Sequence, residues 1–333
     1  MKTFLKADDK YEQLAMTSLA GDKITPEMLE WVLNDEEVEL LPLLHAAYRV
    51  RFHHFGNLVR MHILNNVQSG NCSEDCRYCA QSKDSTQQEN IYPMKSDEEI
   101  LEEARLAYEA GAYRYCMVFS GRDLGKNRIA RICDVAEKVH REYDIELCVS
   151  AGFLTEEDAR ALKMAGVSRY NHNINTSQGH YGTICTTHSF EKRVATIHMA
   201  KQAGLDICSG VIIGLGERCS DIVAIIDELA NIGVSSVPLN FFIPTEGHRV
   251  PNPAPLTPHY CLRVLCAFRF ALPHAEIRIA AGRELHLRSM QALSLYPANS
   301  LFAKGYLTVG GESVPEVKKM IVDAGFELDD RPC

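Results

Sequence analysis

The feature that most constrains this chain is a regular alternation of two kinds of apolar pattern. Short strand-like runs recur near 58–64, 113–119, 145–150, 167–173, 206–213, 235–243, 275–281 and 299–304. Between them lie amphipathic, helix-like stretches, among them 96–110, 155–165, 189–203, 220–232, 257–271, 284–293 and 313–324. Strands that alternate with helices pair in parallel, because each crossover needs a helix to bring the chain back. Eight such units between residues 56 and 328 predict an α/β fold, a closed (β/α)8 TIM-type barrel, in preference to an open doubly wound sheet. Residues 1–55 lack strand alternation and read as an N-terminal helical extension, with Thr25 as a cap and Pro26 at a first helical position. Ser96-Asp97-Glu98-Glu99 has capping-box spacing, and Thr155-Glu156-Glu157-Asp158 opens another helix. Pro251, Pro253, Pro255 and Pro258 mark a rigid loop after the sixth strand, and residues 329–333 form a short tail.

Charge and composition exclude several classes of function. The net charge is −9 with the signs interspersed, and no basic stripe suits nucleic acid. The opening MKTFLKADDKYEQLAMTS lacks the apolar core and cleavage pattern of a signal peptide. No stretch approaches the ~18 consecutive apolar residues of a membrane span. A cytoplasmic location is expected. In a reducing compartment the twelve cysteines are not expected to pair as disulfides, so some are candidate metal ligands and the rest small buried hydrophobes.

The loop after the first strand reads Asn71-Cys72-Ser73-Glu74-Asp75-Cys76-Arg77-Tyr78-Cys79, a C-x3-C-x2-C spacing. Three thiolates on one short loop can hold three corners of a cubane iron–sulfur cluster and leave one iron open to a ligand. A structural zinc site wants four protein ligands, and ordinary four-cysteine clusters saturate their metal.

The strands carry a second set. Cys116 lies on the second strand, Cys148 on the third and Cys208 on the fifth; the seventh reads Glu276-Ile277-Arg278-Ile279-Ala280. Period-two alternation sends Ile277 and Ile279 toward the helices and Arg278 into the lumen. A buried guanidinium without a counter-charge costs ~3–5 kcal/mol, so an anion should meet it. Cys116, Cys148 and Cys208, as thiolates on iron, are candidates to supply that charge. On the fourth strand Asn171, Asn173 and Asn175 are expected on one face, where barrels normally place Val, Ile and Leu. With Asn240 on the sixth strand they suggest hydrogen bonding to a polar ligand. The glycines of Gly210-Val211-Ile212-Ile213-Gly214-Leu215-Gly216 suggest close backbone approach to a ligand, without dinucleotide-binding spacing.

The cysteine loop, with an aromatic before its last cysteine, resembles the radical S-adenosylmethionine superfamily. The segments NCSEDCRYCAQS, YCMVFSGR, YNHNINTS, CTTHSFEKRV, CSGVIIGLGE, VPLNFF and IRIAAGRE narrow the resemblance to its biotin synthase family. That resemblance implies a 4Fe–4S cluster on Cys72, Cys76 and Cys79, whose open iron binds S-adenosylmethionine and cleaves it to a 5′-deoxyadenosyl radical. It places Tyr78 beside the adenine, Asn173 and Asn175 on the cofactor, and Arg193 near its carboxylate. It implies an auxiliary cluster, 2Fe–2S in type with nuclearity open, on Cys116, Cys148, Cys208 and Arg278. This cluster would give a sulfide to dethiobiotin, whose ureido ring would meet Asn171, Asn173 and Asn240. A flavodoxin-type electron donor and a homodimer are implied as well. Two positions depart from the family pattern: Asn175 stands where some members have Asp, and Cys185 where Ile or Thr is expected. Cys185 is read as filling space, the other reading being an added ligand. The loop alone also suits a carbon-skeleton mutase or a hydrogenase-cofactor maturase, against which the strand set argues. A non-catalytic iron–sulfur protein has no use for an open iron or an inward amide patch.

Overall fold

The computed structural model describes residues 2–86, 91–123, 125–305, 307 and 310–329, so most of the expected tail, 330–333, lies outside the described residues. Three helices come first, α1 (Lys2–Leu19), α2 (Pro26–Asn34) and α3 (Leu40–Phe55). The alternation then runs β1 (Leu58–Gln68), α4 (Asp97–Glu109), β2 (Arg114–Phe119), α5 (Lys126–Glu142), β3 (Glu146–Ser150), α6 (Glu156–Met164) and β4 (Arg169–Asn171). It continues through α7 (Gln178–Ile184), α8 (Phe190–Gln202), β5 (Asp206–Cys208), β6 (Val211–Ile213), α9 (Cys219–Ile232), β7 (Ser236–Phe241) and α10 (Pro258–Ala271). Last come β8 (Glu276–Ile279), α11 (Arg283–Leu287), a 3-10 stretch over Arg288–Leu295, β9 (Ser300–Ala303), α12 (Val314–Asp323) and β10 (Glu327–Leu328).

Every barrel pairing is parallel, and β9 returns to β1 with Arg60 opposite Ser300 and Met61 opposite Leu301, which closes the sheet. β5 and β6 together form one stave, broken at Ser209-Gly210, so the closed barrel has eight staves as expected. The break has a steric cause. A Cβ at Gly210 would stand 2.0 Å from the Pro238 carbonyl oxygen, so only glycine lets this stave pass β7 so closely. Outward-facing Val59, Met61, Ile277 and Ile279 are fully buried under the helices. Each such side chain contributes about 1.5–3 kcal/mol through burial.

Local signals start the helices where they were read. Thr25 accepts from the Met28 amide with Pro26 behind it, and Ser96 with Glu99 and Thr155 with Asp158 form capping boxes. Buried cations on α3 and α10 tie these helices to the backbone around them. Arg51 on α3 donates to the carbonyls of Gly56, Leu58 and Ala298. Arg269 on α10 donates to those of Pro273, Ala275 and Pro297 and to Asn299 Oδ1. Burial pushes Arg51 down to about 10 and Arg269 down to about 9.

Four details differ from the sequence reading. α5 and α7 are additional helices; α5 buries the stripe Ile129, Ile132, Val135, Ala136 and Val139 within an otherwise polar segment. The fourth strand stops at Asn171, and Asn175 beyond it takes a left-handed φ of 69°. Pro258 belongs to a helix start, capped by Thr257, and not to the preceding loop. The helix expected over 284–293 is a short α-helical turn followed by a 3-10 stretch.

Candidate active site

The loop after β1 brings its cysteines over the C-terminal mouth of the barrel, where barrels of this class place their chemistry. A cavity of about 310 Å³ opens there, and Cys72, Cys76, Tyr78 and Cys79 line one side of it. Asn171, Asn173, Asn175, Arg193 and Asn240 line the rest, so every residue read for the mouth meets one space. The amides do so by different routes. Asn171 ends β4 and its Nδ2 donates to Asn173 Oδ1 at 3.0 Å and to Cys208 Sγ at 3.2 Å. Asn173 Oδ1 also accepts from the Gly210 amide at 2.9 Å. Asn175, turned by its positive φ, donates to the Tyr78 hydroxyl at 2.7 Å. Asn240 is held from both ends, donating to Val211 O at 3.0 Å and accepting from the Ala281 amide at 3.2 Å.

Arg193 reaches the mouth from α8. Its Nε donates to the Tyr181 hydroxyl and its Nη1 to Asn173 O at 3.0 Å. This fixes the guanidinium while it still borders the cavity. The glycine run behaves differently from its reading, and the expectation of close approach to a ligand is corrected. Gly210 meets Pro238, Gly214 faces Leu256 and Phe242, and Gly216 faces Pro251 and Asn252. Glu217 caps the Gly214 and Leu215 amides at 2.8 and 2.7 Å.

Deeper in the lumen, Cys116 on β2 stands in register with Cys148 on β3, and Cys208 on β5 with Asn171 on β4. All three thiols are buried, and a small cavity of about 30 Å³ touches Cys116, Cys148, Asn171 and Arg278. Arg278 points inward as the alternation requires, with Nη1 3.6 Å from Cys208 Sγ and its Nε without a partner. A hydrogen bond from Cys148, aided by Arg278 and Arg114, holds the Cys116 thiol below its usual value, while that bond pushes Cys148 up to about 12. Burial pushes Cys208 up.

The anion that meets Arg278 within the fold is Glu276, two residues earlier on the same face. Its carboxylate also lies 3.1 Å from Arg169 Nη1, 3.6 Å from Arg60 Nη1 and 3.1 Å from His62 Nε2, with Ser236 and Ser300 hydroxyls at 3.3 and 3.1 Å. Burial alone would raise Glu276, yet Arg278, Arg169 and His62 outweigh it and hold the carboxyl well below its usual range. Burial, then Arg278, pushes His62 down to about 3, so it is neutral. The sequence reading had not singled out this floor of charges, although Glu276 stood in the strand it quoted, on the same two-residue period as Arg278.

Two histidines had also gone without a role. His172 and His188 border the mouth cavity, and burial drives His172 well below its usual value. His188 sits beside Cys76 and Cys185, whose C-x2-H spacing in Cys185-Thr186-Thr187-His188 was the available signal. The hydrogen bond from Cys76 holds Cys185 down to about 4 and pushes Cys76 up. No helix among the described residues is long and apolar enough to cross a membrane.

Comparison with known proteins adds independent observations. A profile of the Radical SAM superfamily matches residues 67–229, and one of the Biotin and Thiamin Synthesis associated domain matches residues 238–327. A biotin synthase of Magnetococcus marinus is 52% identical over 316 residues, covering 95% of this chain and 98% of its own. The biotin synthase of Acaryochloris marina is 50% identical, covering 89% and 86%, and that of Bacillus subtilis 39%, covering 96% of both. Among solved structures, an FeFe-hydrogenase maturase from Carboxydothermus hydrogenoformans superposes with a TM-score of 0.82 at 19% identity, covering 96% of this chain and 79% of its own. Methylornithine synthase superposes at 0.79 and 19%, covering 96% and 97%. At that identity these two structures establish the barrel and nothing about its chemistry.

Proposed function

This chain belongs to the biotin synthase family of radical S-adenosylmethionine enzymes, and from that premise we propose that the mouth and the floor of its barrel hold two different iron–sulfur centres. The protein is a sulfur-inserting enzyme of biotin synthesis. Its substrate in this reading is dethiobiotin. Cys72, Cys76 and Cys79 hold a 4Fe–4S cluster, and Cys116, Cys148, Cys208 and Arg278 hold the auxiliary one. The donor sets suit these groups. Cys72, Cys76 and Cys79 do not together form, among the described residues, a group tight enough for one ion, as befits a larger cluster. The deep site offers three thiols and a guanidinium whose Nε lacks a partner, which suits an anionic, sulfur-rich group. When bound, the clusters and S-adenosylmethionine supply the radical and the sulfur.

The chain's own residues bind and position. Tyr78 and Asn175, already joined, form the adenine and ribose side of the mouth. Arg193, fixed by Tyr181 and Asn173, offers a cation for a carboxylate. Asn171, Asn173 and Asn240 offer amide groups to the ureido ring. The observation that carries the reading is the 3.2 Å contact between Asn171 Nδ2 and Cys208 Sγ. One amide borders the substrate cavity and touches a deep thiol, so a substrate held by Asn171 lies next to the sulfur source. Positioning at reacting distance, with water excluded, is the largest contribution a protein makes to such chemistry. A flavodoxin-type protein supplies electrons, and two chains assemble as a homodimer, in the same reading.

The test is anaerobic reconstitution followed by iron and sulfide analysis with Mössbauer spectra, then product analysis with dethiobiotin. Two distinct cluster signals are expected, together with 5′-deoxyadenosine and biotin. Biotin formation by protein that holds a single cluster after full reconstitution would overturn the assignment of the deep site.

A further inference from the structure

Beside the loop cysteines, Cys185 and His188 have no part in the roles above, yet they form a compact group with Cys76. Cys76 Sγ and Cys185 Sγ are 3.8 Å apart, and His188 Nε2 lies 3.4 Å from Cys185 Sγ and 3.6 Å from Cys76 Sγ. A tetrahedral ion with bonds of ~2.3 Å to sulfur and ~2.0–2.1 Å to imidazole nitrogen requires about 3.8 Å between two sulfurs and about 3.5 Å between sulfur and nitrogen. Those are the separations found. All three side chains are buried, and among the described residues this is the group of His, Cys, Asp and Glu ligand atoms tight enough for a single ion.

The surroundings include groups that orient a ligand set and one cation, Arg193, whose Nη2 lies 3.4 Å from His188 Nε2. His188 Nδ1 lies 2.9 Å from the Tyr181 hydroxyl, which fixes the ring and aims Nε2 at the two sulfurs. Metal-binding histidines are regularly oriented in this way through their other nitrogen. Carboxylates stand close on the open side, Asp75 Oδ1 at 3.2 Å from Cys185 Sγ and Glu74 Oε2 at 3.7 Å from His188 Nε2. Two thiolates, an imidazole and a neighbouring carboxylate suit a divalent transition ion.

We propose that in the cluster-free chain Cys76, Cys185 and His188 bind one divalent transition ion, and that a ferrous ion seated there becomes the first iron of the loop cluster. The ion site stands on the distances alone; its place in assembly rests on reading Cys72, Cys76 and Cys79 as cluster ligands. Binding exchanges water ligands of the hydrated ion for two sulfur–metal bonds and one nitrogen–metal bond, releases the thiol protons to solvent and moves no electrons. Because Cys76 belongs to both sets, the ion changes its other ligands from Cys185 and His188 to the cluster without leaving the protein. The departure at position 185 then has a purpose beyond filling space.

The test uses the full chain, free of tag and iron, under anaerobic conditions, with Co²⁺ as the probe. A single bound Co²⁺ is expected, showing thiolate charge-transfer absorption and tetrahedral d–d bands. Cys185→Ser and His188→Gln should each weaken binding by about tenfold or more, while Cys72→Ser leaves the Co²⁺ affinity as it was. Cys185→Ser changes one atom and carries the test if the histidine variant fails to fold. When iron and sulfide are then added, Cys185→Ser should gain cluster absorption several-fold more slowly than the parent. Unchanged Co²⁺ affinity in Cys185→Ser overturns the ion site, and an unchanged assembly rate overturns its role as first iron. A parent protein that binds Co²⁺ yet never forms a 4Fe–4S signal instead removes the reading of the loop, and with it the assembly role, while the ion site stands.

Discussion

The mouth and the floor of this barrel are built from the same strands by opposite rules. At the mouth, Cys72 and Cys79 are partly exposed, and amides, a guanidinium and histidines surround an open cavity. At the floor, Glu276, His62, Arg169 and Arg278 are buried and answer one another directly. The mouth therefore presents its polar groups to an open space, and the floor pairs its charges with one another while leaving Arg278 Nε without a partner. One asymmetry remains there. Arg60 has Asp329 and Arg169 has Asp206 as second carboxylates, whereas among the described residues Arg278 shares Glu276 alone. Arg278 is also the guanidinium of this group that lies beside the Cys208 thiol, at 3.6 Å.

The sharpest way to break this contrast is at the mouth. Cys76→Ala should reduce 5′-deoxyadenosine and biotin formation to background while the deep cluster's spectrum persists. Retained 5′-deoxyadenosine with reductant present would sink the loop assignment. Cys208→Ala should split the two products, leaving the loop cluster and some 5′-deoxyadenosine but no biotin above background. Normal biotin yield would refute the sulfur-donor role of the floor. Glu276→Gln removes a counter-charge from buried arginines and should cost about 3–5 kcal/mol in urea unfolding of the iron-free protein. The exposed pair Arg160–Glu156 offers a contrast, since Glu156→Gln should shift stability by less than about 1 kcal/mol. Equal effects from the two would mean that the floor is not sealed.

An effect smaller than that of Glu276→Gln is one of pH. His62 is neutral in the fold with its value pushed down to about 3, against about 6.5 when unfolded. A lowered folded value means the unfolded chain binds the proton first. The associated stability is therefore full above about pH 6.5 and is lost as pH falls toward 3. Between pH 7 and pH 5 the parent should lose about 2 kcal/mol on this account, and His62→Gln should lack that part of the slope. Parallel pH profiles for the two would show that His62 titrates alike in the folded and the unfolded chain.

How much of this was legible depends on where the controlling physics lies. The staves were readable because each is a short apolar run with its own punctuation, and Arg278 pointed inward by alternation alone. Its partner is not legible in the same way, because alternation shows that Glu276 shares its face but does not choose between a carboxylate and metal-bound thiolates as the counter-charge. Asn171, Asn173 and Asn175 do converge, but through a strand end and a left-handed turn, which a two-residue period cannot express. Gly210 marked a close approach, and no local rule told that the neighbour would be Pro238 and not a ligand. The trio of Cys76, Cys185 and His188 joins two loops about a hundred positions apart in sequence, and only the closed barrel brings them together.

The ion pairs that fill the N-terminal end of the lumen make the deep thiols a room with one door. Arg60 with Asp329, Arg114 with Glu146 and Arg169 with Asp206 and Glu276 bar the rear, and Asn171 stands at the threshold in front. If these thiols hold the proposed sulfur donor, its iron and sulfide come in past Asn171 before substrate takes its place, and repair and turnover then take alternate turns at the same doorway.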